Sequence, residues 1–461
     1  MGDSCCSSYT RSRLLHAAAA RAGDGLPAIE RGMPVPAGTG LSRRSLLLRG
    51  GALTLSVYGA SHLRLGALSE GVAEAAALPG DGRVLVSIFA PGGWDSLTLL
   101  APVGDPAYPT LRPSLGLPGD QGTPLPEDSR LHFHPAAGAL AALHGEGKVS
   151  VFPAVGYDHP DQSHFTSRHY WEVGATDASL RVGWLGRYLD AAGTPANPLQ
   201  GLSLNDSLAP ALAPRRVPVA TLESPAAYTF DTPGVESPVA TPMLDAIGGL
   251  GAVATPVNEP FLGSARGVSA AAGHLRGQLR GLVSKDGEPD YRSPVPYPKG
   301  DLAERLAAVA AMIAAGLPLR VVAVEAHDGD FDTHADQAAH FAPRIQAVGD
   351  AVLAFQRDLE ARGLADRVLT QLWSEFGRRP KENGSGTDHG AAGAGFVIGT
   401  RTTGGLVGEF PGLGRLDDRD NLRMTSDFRG MYCALLEQWL GQDAAAVIPG
   451  AGSFARPKLV R

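Results

Sequence analysis

Arg83-Val84-Leu85-Val86-Ser87-Ile88-Phe89-Ala90 runs straight into Pro91-Gly92-Gly93-Trp94-Asp95-Ser96, and this stretch decides the fold. A short, nearly continuous apolar run rich in β-branched residues and closed by Pro-Gly-Gly reads as a strand buried on both faces, the kind that parallel sheets contain. The two glycines let the backbone turn tightly and present Asp95 at the sheet edge; the competing reading is that Asp95 caps the next turn. Outward from this strand, short β-rich runs alternate with longer helical patterns. Residues 149–155, 319–325, 368–373 and 395–398 are the next strands, and 301–315, 335–362 and 427–440 the main helices. The expected fold class is α/β, a mainly parallel sheet sandwiched by helices, as a single domain over residues 78–461. Residues 197–298 turn to Pro, Gly, Ser and Ala, with one good helical run near 264–282, and are expected to form an insertion or cap lacking regular core elements.

With 461 residues there is ample chain for a large core, and a net charge of −7 is small for that size. Neither nucleic-acid binding nor a polybasic membrane surface is suggested. The N-terminal part carries Ser42-Arg43-Arg44-Ser45-Leu46-Leu47, paired arginines ahead of a moderately apolar stretch that Arg49, His62 and Arg64 interrupt. A membrane span needs about 20 predominantly apolar residues, and each central arginine would cost about 2.5 to 3.5 kcal/mol, so no stable membrane anchor is expected. The pattern resembles a twin-arginine export signal. Ala73-Glu74-Ala75 and Ala75-Ala76-Ala77 fit a signal-peptidase site, so residues 1–77 are expected to be removed after passage through the twin-arginine translocase, with Met33 as an alternative start. The mature protein would then lie outside the cytoplasm, secreted or in the cell envelope. Cys5 and Cys6 leave with the signal, and Cys433 remains alone in an apolar helical pattern, which excludes a disulfide framework.

Polar residues gather after the expected strands, where open α/β sheets bind ligands. Residues 158–165 contain Asp158-His159-Pro160-Asp161-Gln162-Ser163-His164-Phe165, with Ser163 at a helix start where backbone N–H groups favour a bound anion or a developing alkoxide; Ser is equally a preferred N-cap. His327-Asp328-Gly329-Asp330-Phe331-Asp332-Thr333-His334 is the densest cluster, and its carboxylates and imidazoles suit zinc or manganese, with calcium as the all-oxygen competitor. Ser374-Glu375-Phe376-Gly377-Arg378 and Thr387-Asp388-His389-Gly390 close the set, where Arg378 either meets an oxyanion or pairs with Glu375 or Asp388.

These motifs, with Gln337 and Asp427-Phe428-Arg429, stand in the order that resembles the bacterial domain-of-unknown-function family fifteen-oh-one, a remote branch of the alkaline phosphatase and sulfatase superfamily. The resemblance implies an alkaline-phosphatase-like fold and a secreted, metal-dependent hydrolase of phosphate or sulfate esters acting on a small-molecule or polymer substrate. It implies Asp95, Asp332, His334 and His389 as metal ligands, joined by Glu375 and Asp388, with Ser163 as nucleophile and Arg378 on the non-reacting oxygens. The alternative is a non-catalytic secreted binding protein on the same fold.

Overall fold

The computed structural model describes residues 33–38, 57–58, 82–194, 197–224, 237–251, 253, 260–284, 289–326 and 330–461. The paired arginines, the apolar stretch that follows them apart from Val57 and Tyr58, the cleavage motif and His327 and Asp328 lie outside the described residues. The chain is α/β, with a mixed, mostly parallel central sheet and flanking helices, and it divides into two compact units. One comprises residues 83–176, 293–310 and 324–461; the other 1–82, 177–292 and 311–323.

In the first unit, Val84–Phe89 is buried along its whole length and pairs in parallel with Val368–Trp373, Val84 opposite Val368 and Phe89 opposite Trp373. Ser87, the one polar residue of the run, accepts a hydrogen bond from Trp373 Nε1 at 3.0 Å. Gly393–Ile398 joins the other edge of Val368–Trp373 antiparallel, because the connection between them is a hairpin, Arg378–Glu382 with Thr387–His389, rather than a crossover helix. Val149–Gly156 then pairs antiparallel with Gly393–Ile398; the register shifts between Gly393 and Gly395, close to Pro153, which has no N–H for the ladder. The expected strands at 149–155, 368–373 and 395–398 are thus present, the last of them reversed.

The helix Gln337–Ala361 buries Phe341, Ile345, Val348, Val352, Phe355 and Leu359, the three- and four-residue spacing of one apolar stripe. Phe428–Gln438 does the same with Phe428, Met431, Tyr432, Leu435 and Leu436, and Cys433 lies buried among them with its thiol free. Trp171, on the helix His164–Val173, stacks between Trp373 at 5.3 Å and Phe428 at 4.7 Å, joining two helices to the sheet.

The second unit corrects the expectation for residues 197–298. Gly201–Leu204 is fully buried and lies parallel between Val219–Leu222 and the start of the strand Val321–Glu325. Breakers at the ends of such short strands are tolerated because the elements are only 4 residues long. The helices Ser237–Gly251 and Pro260–Leu279 complete this part. Among the described residues no helix is long and apolar enough to cross a membrane.

The aromatic stack predicts a sharp cost for truncation. Trp171→Ala should lower the unfolding free energy by about 3–5 kcal/mol in chemical denaturation. Trp171→Phe should cost clearly less, since Trp171 Nε1 has no hydrogen-bond partner among the described residues and only ring area is lost.

Candidate metal centre

Four segments meet beyond the strand ends. The turn at Gly92 and Gly93 has φ of +102° and +61°, and a Cβ at Gly92 would collide with the Asp330 carboxylate and the Asp332 amide. Only glycine lets the 330–334 loop approach this closely, and Phe331 N–H donates to Pro91 O at 2.8 Å to hold it there. The hairpin sets Arg378 opposite His389. His164 is the first residue of its helix and is fully buried.

His164, Asp332 and His389 each bring one ligand atom into a group lying within 4.8 Å, a set that could hold a metal ion. His389 Nε2 is 3.0 Å from His164 Nε2 and 2.9 Å from His334 Nε2, and Asp332 Oδ1 is 3.1 Å from His334 Nε2 and 3.3 Å from His389 Nε2. Asp332 Oδ2 is 3.5 Å from His164 Nε2.

The other ring nitrogens face oxygen acceptors. His164 Nδ1 faces Glu375 Oε1 at 2.8 Å, His389 Nδ1 faces the Gln162 carbonyl at 2.8 Å, and His334 Nδ1 faces Asp388 Oδ1 at 3.3 Å. Each acceptor favours a proton on Nδ1, and neutral rings protonated there turn their Nε2 lone pairs to one another. Together with the Asp332 carboxylate they form a set of acceptors that repel one another unless a cation sits among them. Spacings near 3 Å suit ligand atoms sharing an ion at about 2.0–2.2 Å, and oxygen acceptors behind each imidazole are the usual outer layer of a metal site. Without an ion the cluster takes a proton: burial opposes charge on His164, yet Asp332 and Glu375 outweigh it and push that ring up to about 9. Burial lowers His389, while Asp332 is held far below the usual carboxylate range by His164, His334, His389 and Arg378 despite its desolvation.

Residues 292–436 match the family described as Protein of unknown function (DUF1501). No curated protein matches the chain. Among solved structures the chain is similar to the PsFucS1 sulfatase from Pseudoalteromonas sp., at 12% identity over 86% of this chain and 76% of that one, TM-score 0.35. It is also similar to the integral membrane protein lipooligosaccharide phosphoethanolamine transferase A (EptA) from Neisseria meningitidis, at 10% identity over 82% of this chain and 59% of that one, TM-score 0.36. The chain thus spans less than two thirds of the transferase.

Asp332, His334 and His389 are brought together as the sequence suggested, and His164 joins them although its neighbour Ser163 had drawn the attention. The signal for His164 lies in Gln162-Ser163-His164-Phe165, an imidazole next to a serine at a helix start. Ser163 occupies the N-cap position in extended conformation without making a side-chain cap bond, half-buried beside the cluster residue His164. Glu375 and Asp388 are corrected from ligands to partners of His164 and His334; Glu375 is fully buried and its oxygens also accept from Gly92 N–H and Ser374 Oγ.

Arg378 is corrected too. It is 1% exposed and donates to Gly93 O, Gly92 O, Thr387 O and Asp332 Oδ1, so its guanidinium is engaged within the protein rather than held open for the non-reacting oxygens. Asp95 is likewise no ligand. Its carboxylate is fully buried against Arg112, at 2.5 and 3.0 Å, and also accepts from Leu97 N–H, Thr98 Oγ1 and Gln337 Nε2.

Asp95→Asn should cost about 3–5 kcal/mol of stability at neutral pH, because it strands the Arg112 guanidinium in the interior. Burial raises the Asp95 carboxyl, but the charge and hydrogen bonds of Arg112, with Thr98 and Gln337, hold it below the ordinary 3.8. A lowered folded value means stability present above pH 3.8 and lost as pH falls through that lower value. The gap between wild type and variant in denaturant titrations should therefore be flat above pH 3.8 and narrow only below it.

Proposed function

We propose that this protein is a secreted, metal-dependent hydrolase of phosphate or sulfate esters. The observation that carries the reading is the acceptor-only cluster of Asp332, His164, His389 and His334, each imidazole backed by an oxygen on its far side. His164, Asp332 and His389 would hold the ion, with His334 beside them; imidazole donors favour zinc or manganese over calcium. When bound, such an ion supplies charge neutralisation at the transferring group and lowers the pKa of a nearby hydroxyl.

The residues of the chain contribute orientation and a nucleophile. Glu375, Asp388 and the Gln162 carbonyl keep every Nε2 lone pair aimed inward. Ser163, at the N-terminal end of the helix His164–Val173, supplies the hydroxyl that attacks phosphorus or sulfur and expels the ester alkoxide, water then releasing the phosphate or sulfate, and the positive end of the helix dipole favours the developing negative charge. A second reading, a secreted binding protein on this fold, draws support from Arg378, whose burial removes the expected clamp for the non-reacting oxygens.

Protein purified without chelator should carry roughly one divalent ion per chain by elemental analysis, and His389→Ala should lose both the ion and thermal stability. Ser163→Ala should keep the ion and the melting temperature within a cap's worth, about 0.5–2 kcal/mol, while abolishing turnover on a phosphate and sulfate ester panel. Metal-free protein that gains no stability from zinc, manganese or calcium would sink the enzyme reading. Metal retained with no turnover by wild type on that panel would favour the binding reading.

Export by the twin-arginine route is part of the proposal and rests on Arg43 and Arg44. Their joint replacement by lysine should leave the protein in the cytoplasmic fraction, since the translocase reads the guanidinium pair. Undiminished appearance outside the cytoplasm would rule that route out.

A further inference from the structure

A buried amide outside the cluster touches both segments that supply it. Gln337, 1% exposed, opens the helix Gln337–Ala361. Its Oε1 accepts from Thr333 Oγ1 at 2.9 Å and from Thr387 Oγ1 at 2.7 Å, and its Nε2 donates to Asp95 Oδ2 at 2.5 Å. Thr333 lies between Asp332 and His334, and Thr387 lies two residues before His389, so their side chains share one face of that strand. Thr387 N–H also donates to Thr333 O at 3.0 Å.

The orientation of the amide is forced. Asp95 is ion-paired and only accepts, so the NH₂ group must face it and Oε1 must take both hydroxyl protons. Asp95 is itself fixed by Arg112, whose Nε and Nη2 hold Pro380 O at 2.5 Å and Arg379 O at 2.9 Å on the hairpin strand opposite His389. The bonds close a ring from the helix start through Asp95 and Arg112 to the hairpin, and back through Thr387. The side chains of Gln337, Asp95, Arg112, Thr333 and Thr387 are all buried, so a shift of either segment would break bonds that water cannot readily replace.

We infer that Gln337 is a positioning residue that sets the separation between the Asp332–His334 loop and the His389 strand, and thereby the affinity of the centre for a divalent cation. The inference rests on the metal-binding reading above and goes beyond it by assigning affinity to a side chain that touches no ligand atom. A merely structural brace would lower stability and leave the metal site of the folded protein unchanged.

The test is a cobalt(II) titration of the chelator-treated, full-length protein, with the visible d–d bands reporting coordination and a competing chelator giving Kd. The variants are Gln337→Met, which keeps bulk and loses the polar contacts to Thr333, Thr387, Asp95 and Thr98, and Thr387→Val, which loses one hydroxyl. Gln438→Met is the control, because Gln438 bridges Pro457 O and Leu459 N–H through its own half-buried amide away from these residues. Gln337→Met should weaken cobalt binding about 10-fold, the low end of the range for outer-layer partners, and shift the bands. Thr387→Val should move both in the same direction by less. Gln438→Met should lower the melting temperature with wild-type affinity and spectrum.

Wild-type affinity and spectrum in Gln337→Met would overturn the inference, as would the same result in Thr387→Val should Gln337→Met not fold. A band shift in Gln438→Met as large as in Gln337→Met would also overturn it, by making the effect one of general destabilisation. A wild type that takes up no cobalt would overturn the inference together with the metal reading, so the two failures are told apart by the wild type alone.

Discussion

One carboxylate organises the whole centre. Asp332 sits among a guanidinium and three imidazoles, its Oδ1 shared by Arg378, His334 and His389 and its Oδ2 turned to His164. The partners come from a helix start, a loop and both strands of a hairpin, segments far apart in sequence, so the carboxylate is satisfied only when the surrounding unit is assembled. Removing a charge from water is expensive, and a lone buried carboxylate would be protonated instead. Arg378 cancels that charge and at the same time ties Gly92 O, Gly93 O and Thr387 O together. What remains is three imidazoles whose Nε2 atoms crowd around the carboxylate, an arrangement that a proton on His164 or a bound cation would each satisfy.

The same carboxylate depends on the turn beneath it. The backbone at Gly92 packs so closely on the 330–332 segment that no side chain fits, and Gly92 N–H donates to Glu375 Oε1 at 3.0 Å. Glu375 in turn holds His164 Nδ1, and Ser374 Oγ donates to Ala90 O at 2.7 Å and accepts from Trp94 N–H at 3.1 Å. The end of one strand thus sets the rotation of an imidazole on another element through two hydrogen bonds.

Much of the fold was legible because it was written in continuous burial. Val84–Phe89 and Val368–Trp373 are apolar from end to end, and the stripe on Gln337–Ala361 follows helical spacing without a break. Gly201–Leu204 and Val219–Leu222 escaped because strands so short leave no periodicity to read among the glycines and prolines around them. In the site, local density found Asp332, His334 and His389. It failed for Asp95, whose partner Arg112 lies in a Pro-rich stretch with no pattern to connect them, and a carboxylate after a strand looks the same in sequence whether it meets a metal or an arginine. It failed for His164 because the hydroxyl beside it offered the more familiar chemistry.

The corrected roles change how an anionic substrate would be recognised. Both charges expected to face the ligand are spent inside the protein: Asp95 neutralises Arg112, and Arg378 neutralises Asp332 while donating to carbonyls. An ester oxyanion reaching this cluster without a cation would meet the Asp332 carboxylate and a His164 whose charge is already taken up by Asp332 and Glu375. On the proposed reading, then, cation uptake and anion recognition are one event in this centre rather than two. The fold invests its own guanidinium groups in holding acceptors close together, and the positive charge that the substrate needs must come from what those acceptors bind.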